Sequence, residues 1–236
     1  MNHSSPRLGI FGGTFDPVHL GHLWIASAAI ETLNLDQLWF VPAARNPLKP
    51  DGPVAEDADR LRMLQLAVGG HSKMRVDSRE IDRAMGDDRA DRPSFTVDTL
   101  ESIANEQADA VLFLIVGGDS LASFDRWHRV DRITELATIA AVRRGGGGDL
   151  RYDVLRAAAS PAAADAARRN EIVMPIIELS ASVIRDRLAA GRTIRYLVPA
   201  AVEAMIVDRA RHGGQSGNRI YPMSDEKKPT SDSFAP

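Results

Sequence analysis

Short apolar runs alternate along this chain with segments in which apolar residues recur every three or four positions. The apolar run at residues 8–11 ends at Gly12 and Gly13, as a buried strand does when it enters a tight turn. After the turn, apolar residues recur at helical spacing through residues 23–33, and Asn34 is a typical stop signal. The chain is therefore predicted to begin with a strand, a loop and a helix.

The same alternation continues to the C-terminal part of the chain. Further strands are predicted at residues 37–41, 111–116, 138–142 and 172–177. Helices are predicted at residues 61–68, 95–104, 181–190 and 199–211, with another between the strands at 111–116 and 138–142. Because strands separated by helices favour parallel pairing, the pattern predicts an α/β fold with a parallel sheet flanked by helices.

The boundaries of this unit follow from shifts in composition. One domain is predicted over residues 8–212, after a flexible N-terminus at 1–7. Within it, residues 145–170 begin with a glycine run and become rich in alanine and arginine, which predicts a variable loop with a peripheral helix. The tail at 213–236 is predicted to be disordered.

Composition and charge exclude several classes of function. With 44% hydrophobic and 26% charged residues, the chain is typical of globular proteins. The net charge of -3 provides no general attraction for nucleic acid, so any phosphate binding must be local. The absence of cysteine excludes disulfides and thiolate metal sites. No signal peptide or membrane span is predicted, and we expect a cytoplasmic protein.

The loop after the first predicted strand has the features of a phosphate site. Gly12 and Gly13 permit close approach of the backbone to a ligand, and the start of the next helix offers free N–H groups to an anion. His19 and His22 are three residues apart, so both rings can lie at the N-terminal end of that helix and donate to phosphate oxygens.

The same loop has three alternative interpretations. The glycines can form a simple turn, and a random histidine pair is more often exposed or satisfied in the core. A zinc site is disfavoured because there is no cysteine and no obvious third ligand nearby. The spacing of the dinucleotide-binding glycine fingerprint is absent, and so is the P-loop motif, which argues against a dehydrogenase or a P-loop ATPase.

A second candidate phosphate site follows the last predicted strand. Ser180 is a natural N-cap for the next helix, and Arg185 falls in the first turns of that helix, where the helix dipole disfavours a cation unless an anion is present. Ser182 can place a hydroxyl on the same side. The alternative is an ordinary capped surface helix with a solvated Arg185.

Together the two segments resemble the nucleotidyltransferase superfamily. Residues 19–22 match its T/HxGH signature, and residues 179–185 match its late ISxxxIR-type motif with Leu179 in place of isoleucine. The longer string at 12–22 more specifically resembles the bacterial nicotinate-nucleotide adenylyltransferases, and the similarity extends from about residue 8 to residue 209. The resemblance implies a single-domain, Rossmann-like nucleotidyltransferase fold.

The resemblance also implies roles in binding ATP. It assigns the ATP phosphates to His19, His22, Lys49, Ser182 and Arg185, with both histidines, Lys49 and Arg185 supplying charge for catalysis. Gly12, Gly13, Thr14 and Phe15 would contribute backbone near the reacting phosphate, with Gly117 and Asp119 lining the ATP site and Asp119 contacting a ribose. We expect Mg²⁺ to be bound mainly by the ATP phosphates and water, with no metal ligand from the protein.

For the second substrate, the resemblance implies a nicotinate pocket around Phe95, Thr96 and Trp127, with Lys49 near the mononucleotide. Trp127 would stack on the flat ring. Phe95 and Trp127 are equally suited to a core, and Lys49 to a solvated loop. Two positions depart from relatives that carry aromatic residues there, namely His128 and Ile176.

The predicted function is adenylyl transfer from ATP to nicotinate mononucleotide, which gives nicotinate adenine dinucleotide and pyrophosphate in NAD biosynthesis. The alternatives are transfer to nicotinamide mononucleotide or phosphopantetheine, and a non-catalytic nucleotide-binding regulator on the same fold. A nucleic-acid-binding module is disfavoured because the basic residues are scattered. The oligomeric state is left open.

Overall fold

Six parallel strands form the centre of the molecule. The computed structural model describes residues 5–45, 47–48, 52–86, 93–145, 149–212 and 220–222. The strands are β1 (Arg7–Gly13), β2 (Gln37–Pro42), β3 (Met74–Val76), β4 (Val111–Gly117), β5 (Ala137–Arg144) and β6 (Ile172–Met174). The sheet order is β3-β2-β1-β4-β5-β6, and every neighbouring pair is parallel.

Helices connect the strands and cover both faces of the sheet. In the described residues they are α1 (Leu20–Thr32), α2 (Asp57–Val68), α3 (Arg79–Met85), α4 (Thr96–Glu106), α5 (Gly118–Ala122), α6 (Val130–Leu136), α7 (Tyr152–Ala158), α8 (Pro161–Arg169), α9 (Ala181–Ala189) and α10 (Ala200–His212). A short 3₁₀ helix lies at Phe124–Arg126. The predicted α/β class and parallel sheet are confirmed.

The alternation of side chains along the strands divides the apolar residues between two cores. Phe11 belongs to a cluster that includes residues of α1, α2, α9 and α10. Its neighbour Ile10 belongs to the cluster on the opposite face, with residues of α4, α6, α7 and α8. Strands buried on both faces appear in the sequence as unbroken apolar runs, which is the pattern that made β1 and β4 predictable.

Several elements differ from their predicted limits. The sequence pattern does not predict β3 or α3, because three and seven residues are too short to show a clear period. Helix α2 begins at Asp57 rather than at residue 61, since its first turn is polar. Strand β6 ends at Met174 rather than at residue 177, because Pro175 has no N–H for a sheet hydrogen bond.

The segment 145–170, for which composition predicts a variable loop with one peripheral helix, contains α7 and α8. Tyr152, Leu155, Ala164 and Ala167 from these helices are buried in the core on the second face. The structure therefore has two packed helices in this part of the chain.

The predicted disorder of the tail does not fit three of its residues. Residues 220–222 belong to the segment predicted to be disordered, but they are described by the structure, and Ile220 and Tyr221 are buried in the first core. Composition missed them because two apolar residues within a polar stretch create no periodic signal.

Across the described residues, no helix is both long enough and apolar enough to span a bilayer.

Candidate functional site

A cleft of about 340 Å³ lies at the carboxyl edge of the sheet. Gly13, Arg144 and Met174 line it, and these residues stand at the carboxyl ends of β1, β5 and β6. The loop after β1, the first turns of α1, Gly52, the segment 175–180 and the start of α9 form the remaining walls. Open parallel sheets bind their ligands at this edge, so the cleft is the candidate binding site.

The order of the strands reverses between β1 and β4. From β1 the chain proceeds to β2 and β3 on one side, and from β4 to β5 and β6 on the other. At the carboxyl ends of these two strands, a Cβ atom added to Gly12 or Gly117 would meet no described atom within 4 Å. Both glycines therefore border open space at the switch point, where a ligand can approach the main chain.

Two histidines stack at the start of α1. His19 is the N-cap, its ring centroid lies 3.6 Å from that of His22, and the two rings are nearly parallel. The backbone N–H of His19 donates to Nδ1 of His22 at 3.2 Å. Because Nδ1 accepts this bond, a neutral His22 ring carries its proton on Nε2, which makes that atom a donor.

Gly21 allows the His19 ring to lie across the helix start. A Cβ atom at Gly21 would approach Cε1 and Nδ1 of His19 to 3.1 Å, which is closer than most side-chain contacts. Burial, together with the positive charge of Arg144, lowers the pKa of the His19 imidazole from 6.5 to about 4. His19 is therefore neutral near pH 7 in the free protein and contributes an N–H dipole rather than a full charge.

This lowered pKa predicts an acid-sensitive fold. In the unfolded chain His19 binds a proton once the pH falls below about 6.5, whereas in the folded chain it does so only near pH 4. Protonation therefore favours the unfolded chain, and the stability that is fully present above pH 6.5 is lost as the pH falls from 6.5 towards 4. Between pH 7 and 5 the His19 contribution to the free energy of unfolding falls by about 2 kcal/mol. Urea unfolding of the wild type and of His19→Gln at both pH values measures this difference; equal pH dependence in the two proteins would contradict it.

The loop that precedes the histidines is constrained by buried contacts. Phe15 has a φ of 50°, in the left-handed region, and its ring packs edge-on against His22 at 5.0 Å and against Phe11 at 5.6 Å. The fully buried guanidinium of Arg60 donates to the carbonyl of Thr14 at 2.6 Å. An unfavourable backbone conformation persists only where such contacts stabilise it.

Asp16, the next residue, is 3% exposed, and its carboxylate is engaged within the protein. Oδ2 accepts the backbone N–H of Val54 at 2.7 Å, and Oδ1 accepts that of Ala55 at 3.1 Å. The residue thus connects the loop after β1 to the segment that leads into α2.

The second predicted phosphate segment lies against the first. Oγ of Ser180 caps α9 by accepting the N–H of Val183, as predicted. Arg185, in the second turn, donates from Nη1 to the backbone carbonyl of Asp16 at 2.6 Å, and its Nη2 lies 3.5 Å from Oγ of Ser182. This contact joins residues 169 positions apart in the chain, and places Arg185 at the cleft with the histidine loop.

The residues predicted for the mononucleotide lie near the end of β4 and the start of α4. Trp127 is half-buried and stacks on Phe124 with ring centroids 4.8 Å apart. Phe95, the N-cap of α4, packs its ring against that of His128, with the ring centroids 4.4 Å apart. Thr96 begins α4 and is half-buried.

The two remaining ATP-site candidates, Gly117 and Asp119, lie where β4 ends and α5 begins. Asp119 is exposed in the first turn of α5, one residue after Gly118 and two after Gly117. Ile176, the other departure from the relatives, is 59% exposed.

Some buried polar atoms lack a hydrogen-bond partner within the protein. Among the described residues, they occur in the side chains of Thr14, His19, Arg60 and Trp127. Three of these residues belong to the predicted sites, Thr14 through its main chain, His19 through its ring and Trp127 through stacking. Such atoms are costly to bury, and a bound ligand can supply their missing partners.

Comparison with known proteins identifies the family of this chain. The family model described as cytidylyltransferase-like matches residues 10–187. A probable nicotinate-nucleotide adenylyltransferase of Rhodopirellula baltica is 42% identical over 203 residues, covering 86% of this chain and 92% of that protein. One from Thermomicrobium roseum is 43% identical over 208 residues, covering 88% and 90%. The chain belongs to the nicotinate-nucleotide adenylyltransferase family.

The fold of this family member also matches solved structures. The nicotinic acid mononucleotide adenylyltransferase of Plasmodium falciparum, solved in complex with NaAD, superposes with a TM-score of 0.63 at 16% identity, covering 86% of this chain and 95% of that one. This match confirms the predicted Rossmann-like nucleotidyltransferase fold. The relatives and the family model confirm the assignment as a nucleotidyltransferase enzyme.

The structure brings most of the predicted phosphate residues of this adenylyltransferase to one cleft. Its lining includes the predicted residues Gly13, Thr14, Phe15, His19, His22, Ser182 and Arg185. The Phe15 ring is buried against Phe11, Phe40 and His22, so it is not exposed for stacking on a ligand. Lys49 lies outside the described residues, and its role stays a prediction.

Sequence reasoning missed Arg144, which lines the cleft beside His19. It carried only a weak signal, a basic residue two positions after a predicted strand. Arg60 and Tyr221 were missed as well, because a buried arginine and a tail tyrosine look like surface residues in a linear sequence.

Proposed function

We propose that this chain transfers the adenylyl group of ATP to nicotinate mononucleotide. One observation carries the proposal: the glycine-histidine loop and the start of α9 meet at one cleft through the contact between Arg185 and Asp16. Two independent segments suited to phosphate therefore form a single site. The names of relatives more than 40% identical over most of the chain support nicotinate mononucleotide as the acceptor.

The reaction requires no protein nucleophile. An oxygen of the mononucleotide 5′-phosphate forms a bond to the α-phosphorus of ATP. The bond between the α-phosphorus and the oxygen that bridges it to the β-phosphorus breaks, and pyrophosphate leaves with that oxygen. Since the attacking phosphate is already ionised, a general base has no proton to remove. Catalysis then depends on alignment and on stabilising charge on the departing oxygens.

The donors of the cleft are assigned to this task. Arg185 supplies a permanent positive charge, and we add Arg144 to the predicted set because it lines the same cleft. His19 and His22 donate N–H groups to the phosphates. The low pKa of His19 means that it enters as a neutral donor, and the incoming triphosphate raises that pKa by stabilising the protonated ring.

For the other site residues we propose the roles that the family resemblance implies. Main-chain groups of Gly12, Gly13, Thr14 and Phe15 approach the reacting phosphate, Ser182 and Lys49 contact phosphate oxygens, Gly117 and Asp119 contact the nucleoside, and Phe95, Thr96 and Trp127 surround the nicotinate ring.

Adenylyl transfer from ATP generally uses a divalent metal, and we propose that Mg²⁺ enters as its complex with ATP. The acidic side chain that lines the cleft, Asp16, already accepts backbone hydrogen bonds through both carboxylate oxygens. Within the described residues, no group of three metal-binding side chains is present. We expect the triphosphate and water to supply the ligands, and the ion would neutralise charge on the leaving pyrophosphate.

The test is a panel of acceptors assayed with ATP and Mg²⁺ through release of pyrophosphate. We expect the highest kcat/KM with nicotinate mononucleotide. A higher value with nicotinamide mononucleotide or phosphopantetheine would change the assigned acceptor. Binding of ATP without pyrophosphate release from any acceptor would favour the non-catalytic regulator instead.

Trp127→Ala tests the assignment of the nicotinate pocket. We expect KM for the mononucleotide to rise roughly tenfold, because a stacked aromatic contributes about 1 kcal/mol or more beyond its buried area. KM for ATP should change little. Trp24→Ala, at an exposed tryptophan on α1, is the control. A selective loss of ATP affinity in Trp127→Ala would show that the pocket has been misplaced.

A further inference from the structure

A buried piece of the C-terminal tail lies beneath the phosphate loop. Tyr221 is 2% exposed and Ile220 is 6% exposed, and both pack into the core on the first face of the sheet. The tyrosine is 205 positions from its polar partner, Asp16. A residue of the tail, far from both phosphate motifs in the sequence, thus contacts the loop after β1 from its buried side.

The Tyr221 hydroxyl completes the bonding of the Asp16 carboxylate. It donates to Oδ1 at 2.9 Å, beside the N–H of Ala55 on the same oxygen and that of Val54 on Oδ2. Burial, and next the negative charge of Asp16, raise the pKa of the Tyr221 hydroxyl, so it stays protonated and remains a donor. Hydrogen bonds to a buried carboxylate are among the stronger ones in proteins.

The same aspartate orients the arginine of α9. Nη1 of Arg185 donates to the Asp16 carbonyl at 2.6 Å and lies 3.6 Å from the carboxylate oxygen Oδ2. The guanidinium therefore has two competing acceptors on one residue. Tyr221, Val54 and Ala55 donate hydrogen bonds to the Asp16 carboxylate. Because these bonds occupy its oxygens, the carboxylate competes less strongly with the Asp16 carbonyl for the guanidinium of Arg185.

We propose that Tyr221 is a positioning residue for ATP. Through the Asp16 carboxylate it keeps Arg185 on the Asp16 carbonyl, where the rest of the guanidinium fork faces the cleft. Without the hydroxyl, the Ala55 N–H is the partner that Oδ1 retains among the described residues, and Arg185 shifts towards the carboxylate and away from the triphosphate. The inference rests on the proposed function, since it assigns Tyr221 to the same phosphate site.

Tyr221→Phe in the full chain is the direct test, because it keeps the ring in the core and removes only the hydroxyl. We expect the Kd of MgATP to rise and kcat to fall, each about tenfold, as for loss of one hydrogen bond to a charged group. KM for the mononucleotide should stay within about twofold. Tyr152→Phe is the matched control: its buried ring also donates its hydroxyl to a carboxylate, that of Glu171 at 2.8 Å, and we expect no change in ATP binding.

A double-mutant cycle separates positioning from a general structural role. If Tyr221 acts through Arg185, then Tyr221→Phe should weaken MgATP binding less than about twofold in an Arg185→Lys background. A full tenfold loss in that background, or wild-type MgATP binding by Tyr221→Phe, would overturn the inference. If the wild type binds MgATP but releases no pyrophosphate with any acceptor, the proposed function fails, whereas the binding cycle still decides the role of Tyr221.

Discussion

Replacing His22 with alanine is expected to lower kcat by about a hundredfold or more while the protein stays folded. The ring stacks on His19 and packs against Phe15, and its Nδ1 accepts the His19 N–H, which leaves Nε2 as a donor at the helix start. Loss of one such preorganised donor typically costs about 10²–10³ in kcat. Steady-state rates of pyrophosphate release at saturating substrates measure this effect.

Two further variants show whether the effect belongs to chemistry or to packing. His22→Asn keeps an acceptor for the His19 N–H but lacks the Nε2 donor, so it should remain close to His22→Ala in kcat. His71→Ala removes an exposed imidazole from the turn before β3 and should leave kcat unchanged. A folded His22→Ala protein with wild-type kcat would remove His22 from the mechanism.

Arg185→Ala is the second change with a large expected effect. We expect kcat/KM for ATP to fall on the order of a hundredfold, because the variant removes a partly desolvated charge that meets the triphosphate. The side chain is 28% exposed, and part of its fork is already engaged by the Asp16 carbonyl. Measuring kcat/KM with ATP varied and the mononucleotide saturating tests the prediction.

Arg185→Lys distinguishes charge from geometry. Lysine keeps the positive charge but cannot donate to the Asp16 carbonyl and to phosphate through a planar fork, so it should recover only part of the lost rate. Arg187→Ala is the matched control on α9, since that side chain donates instead to the carbonyl of Thr193. Equal losses in Arg185→Ala and Arg187→Ala would indicate damage to α9 rather than loss of a phosphate contact.

The low pKa of His19 changes how the phosphate site should be described. The family resemblance implies that both histidines supply charge for catalysis. In the free protein the burial of His19 and its proximity to Arg144 favour the neutral ring. The permanent charge at the cleft then comes from the arginines, and protonation of His19 is coupled to the arrival of the anion.

The sequence by itself determined the parallel α/β class, the glycine-histidine loop after β1, and the capped helix that carries Arg185. These features are local: a buried strand, a turn, a helical period and an N-cap each depend on residues close together in the chain. The resemblance carried by the two motifs then identified the family, which the relatives confirm.

Only the tertiary structure decided which side chains support that site. Arg144 reaches the cleft from β5, Arg60 binds the loop carbonyl from α2, and Tyr221 bonds to Asp16 from the tail. The neutral state of His19 likewise depends on its burial and on a charge from another strand. These four features have one physical reason. Burial and electrostatic fields arise from groups that are distant in the chain, and the sequence pattern does not show which distant groups are close in space.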